Sequence, residues 1–180
     1  MFEEYAGIRV LRVFLEDPGR EMHVREVASI SGVSSGSAKR YLDMFHGEGL
    51  LLRRRQANLL LHRGNLDNPA FRQIKVAWSV YRIMRSGLVD RILSEISPAS
   101  VVLFGSVARG EDGVNSDIDI FVLGKRGDVD LSRFERALGR KINLVVCDVR
   151  GWQKKVAEDR PFYESVTLGG IVLHGELPVV

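Results

Sequence analysis

The sequence predicts an α+β protein of two small domains: N-terminal helices closed by a short β-hairpin, then a small α/β domain with a mixed sheet. A chain of 180 residues suits two compact domains, each with a modest core. Helical spacing of apolar residues dominates the first part, whereas short apolar strands around a Gly-Ser loop mark the second. We expect domains over residues 1–66 and 87–180, joined by a linking helix over 67–86.

Composition favours a soluble protein. Apolar residues make up 45% of the chain and charged residues 27%, and no apolar run approaches the roughly 20 residues that span a bilayer. The acidic N-terminus lacks the basic-then-apolar order of a signal peptide, and the single cysteine, Cys147, excludes an internal disulfide. We therefore expect a cytoplasmic protein with no membrane partner.

Charge is distributed unevenly along the chain. Residues 1–86 hold 14 Lys or Arg against 9 Asp or Glu, a balance of +5, whereas residues 87–180 hold 12 against 14, a balance of −2. The two halves are therefore expected to meet different partners. A mildly basic half is compatible with nucleic acid, although many solvated surfaces carry as much charge.

The N-terminal region is predicted to begin with three helices. Apolar residues recur at helical spacing over residues 8–15, until Pro18-Gly19 ends the pattern. A short second helix ends at Ser31-Gly32, and a third begins with Ser34 or Ser35 as its N-cap. Two short helices around a glycine turn indicate a helix-turn-helix.

A β-hairpin is predicted after the third helix. Residues 49–55 and 59–63 read as two short strands around a tight turn, which would form a wing. This order of helix, helix-turn-helix and wing resembles the winged-helix domains of prokaryotic and archaeal regulators over residues 5–64.

The resemblance implies a DNA-binding surface on the third helix and the wing, where basic side chains would give salt-sensitive phosphate contacts. The candidate DNA-binding residues are Ser35, Ser37, Lys39, Arg40, Arg53, Arg54 and Arg55. Two alternatives stay open, because winged helices also bind proteins and arginines can protect an edge strand from aggregation. Winged-helix proteins commonly form two-fold dimers that match palindromic operators, so we expect a homodimer.

The segment with the clearest chemistry lies in the C-terminal half. It reads as a strand over residues 101–104, a Gly-Ser loop at Gly105 and Ser106, a short helix, and a strand that carries Asp117 and Asp119. Because side chains alternate along a strand, the two carboxylates are expected to share one face. Ten residues separate Ser106 from Asp117, enough for the chain to return so that the loop faces the carboxylates.

Two carboxylates in a small space repel each other, so a bound cation is expected to neutralise them. Mg²⁺, or Mn²⁺, suits Asp117 and Asp119, since Mg²⁺ takes carboxylate and phosphate oxygens and keeps some water. Gly105 would let a phosphate approach the backbone, and the N–H groups after Ser106 would hold a triphosphate. The pattern therefore indicates phosphoryl chemistry.

This segment resembles the minimal nucleotidyltransferases of the DNA polymerase β-type superfamily. The resemblance rests on residues 104–110 (Phe-Gly-Ser-Val-Ala-Arg-Gly) and 116–120 (Ser-Asp-Ile-Asp-Ile), and extends over about residues 88–175. It implies transfer of a nucleoside monophosphate from a triphosphate, with ATP as the expected donor and Asp117 and Asp119 as catalytic metal ligands. Arg109 would meet phosphate charge, and Ser116 would orient the first carboxylate.

One departure from the family pattern bears on catalysis. The third carboxylate that the family supplies from a later strand appears here as Asn143, which cannot accept a proton and would bind a metal only weakly through its carbonyl oxygen. Asp148, five positions later, would face the other way in an unbroken strand. Nucleotide and metal binding are therefore better supported than turnover.

Two functions follow from these observations. The first is a nucleotidyltransferase whose acceptor is a protein hydroxyl, a small molecule or a nucleic-acid end. Some minimal family members are antitoxins paired with a helical toxin, so a protein acceptor or toxin partner is reasonable. The alternative is a DNA-binding transcriptional regulator with a weakened or inactive nucleotidyltransferase domain.

Overall fold

The computed structural model describes residues 2–125, 127 and 129–179. The chain falls into two compact units, Met1–Trp78 and Ser79–Val180. Helices and strands are mixed in both, as the predicted α+β class requires. Within the described ranges, no helix has both the length and the apolar character needed to cross a bilayer.

The N-terminal unit contains three helices, a three-stranded sheet and the start of a long helix. After a 3₁₀ turn at Phe2–Glu4, its elements are α1 (Ala6–Glu16), β1 (Met22–His23), α2 (Val24–Ser31), α3 (Ser35–Gly47), β2 (Leu51–Gln56), β3 (Leu59–Gly64) and α4 (Pro69–Ser86), which continues into the second unit.

Local capping fixes the helix-turn-helix. His23 and Glu26 form a reciprocal capping box at the start of α2, and Gly32 ends that helix in the left-handed conformation, with φ of +62°. The Ser34 hydroxyl accepts a hydrogen bond from the Ser37 N–H at 3.1 Å and so caps α3. The predicted N-cap and glycine turn are therefore confirmed, although α2 begins at Val24, earlier than the apolar pattern indicated.

The hairpin β2–β3 forms the wing, and β1 completes its sheet in the order β1-β3-β2. All pairs are antiparallel, and Met22, His62 and Arg53 lie side by side across the three strands. Met22, His62 and Leu51 are buried, so this side of the sheet packs against the domain core. These elements confirm the predicted winged helix-turn-helix.

The C-terminal unit alternates helices with four strands. After the end of α4, its elements are α5 (Leu88–Ile96), β4 (Ser100–Phe104), α6 (Gly105–Arg109), β5 (Ile118–Leu123), α7 (Ser132–Leu138), β6 (Ile142–Cys147), α8 (Val149–Glu158), α9 (Arg160–Thr167) and β7 (Ile171–Gly175).

The four strands form one mixed sheet in the order β6-β5-β4-β7. The β5–β6 pair is parallel, whereas β4 runs antiparallel to both β5 and β7. The predicted mixed sheet is therefore confirmed. Three of its four strands were predicted from the sequence, whereas β7 was not.

Each face of this sheet has its own core. Alternate strand residues such as Leu103 and Ile120 pack against α5 and α7, while Phe104 and Phe121 pack on the opposite face with Trp152 of α8. Trp152 is 2% exposed, and its indole N–H donates to the Pro178 carbonyl at 2.8 Å. Asp119 alternates with Ile118 and Ile120, so it lies on the Phe121 face.

Candidate functional site

A glycine at the end of β4 lets the backbone turn beside a carboxylate. Gly105 has φ of +73°, a conformation that strains any residue with a side chain. A Cβ at this position would also collide with the Asp119 carboxylate. Glycine is therefore required both for the turn into α6 and for the close approach to Asp119.

The sheet register brings three separate segments together at Asp119. Asp119 pairs with Phe104 of β4 on one side and with Asn143 of β6 on the other. Its side chain is half-buried. The Gly-Ser loop, the second carboxylate of the Asp-x-Asp pair and Asn143 consequently form one cluster, although the chain supplies them from three elements.

Asn143 occupies the place beside Asp119 where a third carboxylate was expected. Its Nδ2 donates a hydrogen bond to Asp119 Oδ1 at 3.0 Å. An amide donor at this position compensates part of the Asp119 charge, whereas a carboxylate would add to it. The site therefore has two negative groups where the family pattern has three.

Asp117 lies one residue before β5 and is exposed. The adjoining Ile118 N–H donates to the Lys141 carbonyl at 2.9 Å, which holds the start of β5 against the segment that leads into β6. If the strand alternation continues by one residue, Asp117 shares the face of Asp119. These two carboxylates are the candidate metal ligands.

The other residues predicted to bind nucleotide have neighbours of their own. Ser106 is half-buried in α6, and its carbonyl accepts from the Glu111 N–H at 3.0 Å. Arg109 is exposed and bonds to the Glu111 carboxylate at 2.7 Å. The Ser116 hydroxyl accepts from the Gly113 N–H at 3.0 Å, so it shapes the loop before Asp117.

A buried ion pair that the sequence did not predict involves the loop before Asp117. Asp112 is fully buried and bonds to Arg140, whose side chain is 12% exposed, at 2.5 Å. Arg140 immediately precedes the segment that leads into β6, so the pair ties the loop before Asp117 to the start of the Asn143 strand. No local pattern could have revealed it, because the partners lie 28 positions apart.

Asp148 does not replace the missing carboxylate. It is the N-cap of α8, where its side chain accepts from the Gly151 N–H at 2.7 Å. It follows the last residue of β6, whereas Asn143 is the second, and five residues of strand span about 16 Å. Asp148 therefore has a structural role at the opposite end of the strand.

The donor set fits one hard divalent cation. Mg²⁺ is commonly held by one or two carboxylates, with phosphate oxygens and water completing its coordination, and Asp117 with Asp119 supply such a pair. Across the residues that the structure describes, no group of three or more His, Cys, Asp or Glu side chains is arranged to hold a metal. Asp117 and Asp119 are thus candidate ligands for one ion, and Asn143 stands where the family pattern has a third carboxylate.

The predicted DNA-contacting residues of α3 lie near its N-terminus. Ser35, Lys39 and Arg40 are exposed, whereas Ser37 is half-buried and serves the cap through its N–H. The Lys39 ammonium bonds to Asp43 at 2.8 Å, and the Arg40 guanidinium lies 4.8 Å from the Tyr41 ring centroid. Of these side chains, the serines present small hydroxyls and the two basic residues are already engaged by neighbours.

The three wing arginines differ in their surroundings. Arg53 bonds to Asp43 of α3 at 3.1 Å, and Arg54 forms a two-pronged ion pair with Glu21. The hydrogen bond from Arg54 lowers the pKa of Glu21, and the hydrogen bond from Lys39 lowers the pKa of Asp43. Arg55 lies near the turn and bonds to the Ala57 carbonyl at 3.3 Å. β2 is an edge strand, so the alternative role of edge protection stays open.

His62 lies behind this ion-pair network and is 2% exposed. Neither ring nitrogen has a hydrogen-bond partner among the residues that the structure describes. Desolvation, followed by the nearby positive charge of Arg53, lowers the pKa of His62 from 6.5. The imidazole is therefore neutral in the folded domain at neutral pH.

Comparison with known proteins identifies both halves. A nucleotidyltransferase domain model matches residues 86–167, and an IclR helix-turn-helix domain model matches residues 7–55. No curated protein matches the chain.

Two solved structures resemble about half of the chain. One is described as a possible transcriptional regulator from Methanosarcina mazei Go1, with 19% identity and a TM-score of 0.35, covering 49% of this chain and 72% of that one. The other is Sso10a-2, a DNA-binding protein from Sulfolobus solfataricus, with 13% identity and a TM-score of 0.35, covering 48% and 90%.

The family matches agree with the structure of each unit. The nucleotidyltransferase model covers the Gly-Ser loop, both carboxylates and Asn143. The helix-turn-helix model covers the helix-turn-helix and most of β2. The chain is therefore a fusion of an N-terminal IclR-type winged helix-turn-helix domain with a C-terminal nucleotidyltransferase domain.

Proposed function

We propose that the protein is a DNA-binding regulator whose nucleotidyltransferase domain binds a nucleoside triphosphate with one divalent cation and transfers its nucleotide slowly or not at all. The proposal rests on one observation: Asn143 takes the place of the third carboxylate, and its amide N–H donates a hydrogen bond to Asp119. Binding needs the two remaining carboxylates, whereas activation of an acceptor needs a base that the site lacks.

Mg²⁺, or Mn²⁺, would be held by Asp117 and Asp119 together with the phosphates of the nucleotide. When bound, the cation offsets the charge of the triphosphate and polarises its α-phosphate. The domain family implies a nucleoside triphosphate, and the described residues do not indicate which base it carries. We propose to test ATP first.

The chain's own residues would hold the triphosphate around this pair. Gly105 leaves the backbone free of a Cβ beside Asp119, so a phosphate oxygen can approach the first N–H groups of α6. Ser106 lies in that turn. Arg109 could add a positive charge, but it would have to exchange Glu111 for phosphate.

Transfer requires one further step that Asn143 does not support. The attacking hydroxyl must lose its proton, and a carboxylate at position 143 could receive that proton or bind a metal that lowers the pKa of the hydroxyl. An amide can do neither well, and the Asn143 amide group is already directed at Asp119. The acceptor hydroxyl would then depend on solvent for its deprotonation.

An active nucleotidyltransferase is the second candidate function. The intact Gly-Ser loop and both aspartates favour it, because they retain the groups that bind and polarise a triphosphate. Its acceptor would be a protein hydroxyl, including one on a toxin partner, a small molecule or a nucleic-acid end. We propose a cytoplasmic location for either function, since both draw on DNA and nucleotides.

DNA binding is proposed for the winged-helix domain, with α3 in the major groove and the wing beside the backbone. Within the predicted DNA-binding set, exposed Arg40 and Arg55 are the cations that carry no carboxylate partner among the described residues. A two-fold dimer would place two such surfaces on a palindromic site.

One transfer assay separates the two candidates. The full chain and Asp117→Asn are incubated with α-³²P-labelled ATP, GTP, CTP or UTP, with Mg²⁺ or Mn²⁺, and with lysate of the source organism. In parallel, equilibrium dialysis measures nucleotide binding. Metal-dependent binding without label transfer supports the regulator.

Label fixed to a macromolecule by the native chain but not by Asp117→Asn supports the transferase instead, and identifies its acceptor. Absence of both metal-dependent binding and transfer refutes a nucleotide site of either kind.

A further inference from the structure

One carboxylate on α3 binds a cation from each of the two elements proposed to face DNA. Asp43 Oδ2 accepts from the Lys39 ammonium of the same helix at 2.8 Å. Asp43 Oδ1 accepts from the Arg53 guanidinium of β2 at 3.1 Å. The helix and the wing are thus joined through a single acidic side chain.

The arrangement has the chemistry of a phosphate site. Two cations converge on separate oxygens of one anion, as they would on the two free oxygens of a DNA phosphate. The hydrogen bond from Lys39 lowers the pKa of Asp43, and the charges of Lys39 and Arg53 act in the same direction. Asp43 is therefore ionised at neutral pH and holds both cations.

We propose that Asp43 is an internal substitute for a DNA phosphate, which engages Lys39 and Arg53 in the free protein and weakens binding to non-specific DNA. This inference rests on the proposed DNA binding by the winged-helix domain. A phosphate competes with Asp43 for these cations, and a displaced carboxylate would remain near the negatively charged backbone.

The consequence is selectivity. Non-specific affinity comes almost entirely from cations that neutralise phosphates, so two cations held by Asp43 leave two phosphates of a random duplex without a partner. A sequence that forms base-specific hydrogen bonds with α3 can compensate for this deficit, whereas a random sequence cannot. Asp43 thus acts as a specificity-determining residue of the recognition surface.

The chain provides a matched control. Glu164 binds Arg160 of the same helix, α9, at 2.8 Å in an ion pair of the same kind. Neither residue belongs to the predicted DNA-binding surface. Glu164→Gln and Asp43→Asn therefore make the same change in charge and each release an arginine, but only Asp43→Asn releases cations of that surface.

The experiment measures binding of the full chain to a fluorescent random-sequence duplex by anisotropy, over salt concentrations from about 50 to 300 mM. Each additional phosphate that the protein neutralises steepens the slope of log K against log salt by about 0.9, which corresponds to about eightfold tighter binding at about 0.1 M salt. Asp43→Asn is expected to steepen the slope by about 0.9 to 1.8 and to bind about 8- to 60-fold more tightly.

Two further variants identify the cations. Lys39→Ala or Arg53→Ala, added to Asp43→Asn, should each restore about 0.9 of the slope and reverse part of the increase in affinity. Glu164→Gln should leave the slope unchanged, and circular dichroism checks that every variant is folded.

The outcomes separate the two proposals. If the native chain binds and Asp43→Asn binds equally or more weakly, Asp43 does not compete with phosphate and the inference is wrong while DNA binding stands. If Glu164→Gln increases affinity as much as Asp43→Asn, the effect is one of net charge and the inference is again wrong. If no variant binds any duplex, both the inference and the proposed DNA binding fail.

Discussion

Replacing Gly105 with alanine tests whether close approach of the backbone to Asp119 builds the nucleotide site. The added Cβ would meet two separate penalties, a left-handed backbone at φ of +73° and a collision with the Asp119 carboxylate. Gly87 provides the matched control, because it has φ of +77° and a Cβ added there would have no neighbouring atom within 4 Å. The difference between Gly105→Ala and Gly87→Ala therefore isolates the collision.

The magnitudes follow from these two penalties. A left-handed conformation costs an alanine about 1–2 kcal/mol, and this applies to both variants. Overpacking adds about 1–3 kcal/mol at Gly105 alone. We expect Gly105→Ala to lose about 2–5 kcal/mol of unfolding free energy, and Gly87→Ala about 1–2 kcal/mol. Displacing the Asp119 carboxylate from Asn143 should also weaken metal-dependent ATP binding at least tenfold.

Urea unfolding gives the stability of each variant, and equilibrium dialysis with Mg²⁺ and ATP gives the affinity. Gly87→Ala should bind ATP as the native chain does. Equal stability losses in the two variants, together with unchanged ATP binding by Gly105→Ala, would refute the assignment of this glycine to the site.

Three further predictions concern the acidic cluster, the buried histidine and the buried ion pair. Asn143→Asp restores a third carboxylate, so label transfer from α-³²P-ATP should increase at least tenfold; a decrease would show that the amide itself assists the reaction. Since burial lowers the pKa of His62, the unfolded chain binds its proton more readily below pH 6.5. Calorimetry should therefore show that the N-terminal domain keeps its full free energy of unfolding above pH 6.5 and loses part of it as the pH falls below 6.5. The loss should be smaller in His62→Phe, and equal pH profiles in the two proteins would contradict this. Arg140→Met removes the Arg140 cation from the buried Asp112 carboxylate and should cost about 3–5 kcal/mol in urea unfolding, whereas the double variant with Asp112→Leu should recover most of this loss. Equal losses in the single and double variants would argue against the charge as the cause.

Sequence patterns were sufficient where local chemistry fixes the structure. The capping serine before α3, the glycine turn before it and the Gly-Ser loop each follow from the residues in a window of a few positions. Asp119 and Asn143 could also be expected to lie side by side, because β5 and β6 are parallel neighbours whose first residues are paired.

The remaining features depend on residues far apart in the chain. Asp112 meets Arg140 across 28 positions, and Arg54 meets Glu21 across 33. Nothing near any of these residues distinguishes it from an ordinary surface charge. Arg54 was therefore predicted to bind DNA, although its carboxylate partner Glu21 could not be predicted from the sequence.

The strand β7 was missed for a related reason. Its five residues, Ile171–Gly175, follow two glycines, and their apolar run of three residues is too short to distinguish a strand from a loop. What defines them as a strand is the antiparallel pairing with β4, which comes about 70 residues earlier in the chain. Pairing of this kind is a property of the fold and is weakly encoded in the local sequence.

The number of Mn²⁺ ions bound per chain in the presence of a non-hydrolysable ATP analogue tests the proposed function most directly. Electron paramagnetic resonance counts free Mn²⁺, and Asp117→Asn serves as the control. Two carboxylates with Asn143 beside them predict one nucleotide-dependent ion in the native chain, greatly weakened in the control. Two ions per chain would contradict the proposal, because the site would then hold the second metal despite Asn143, and no nucleotide-dependent ion would contradict the binding site itself.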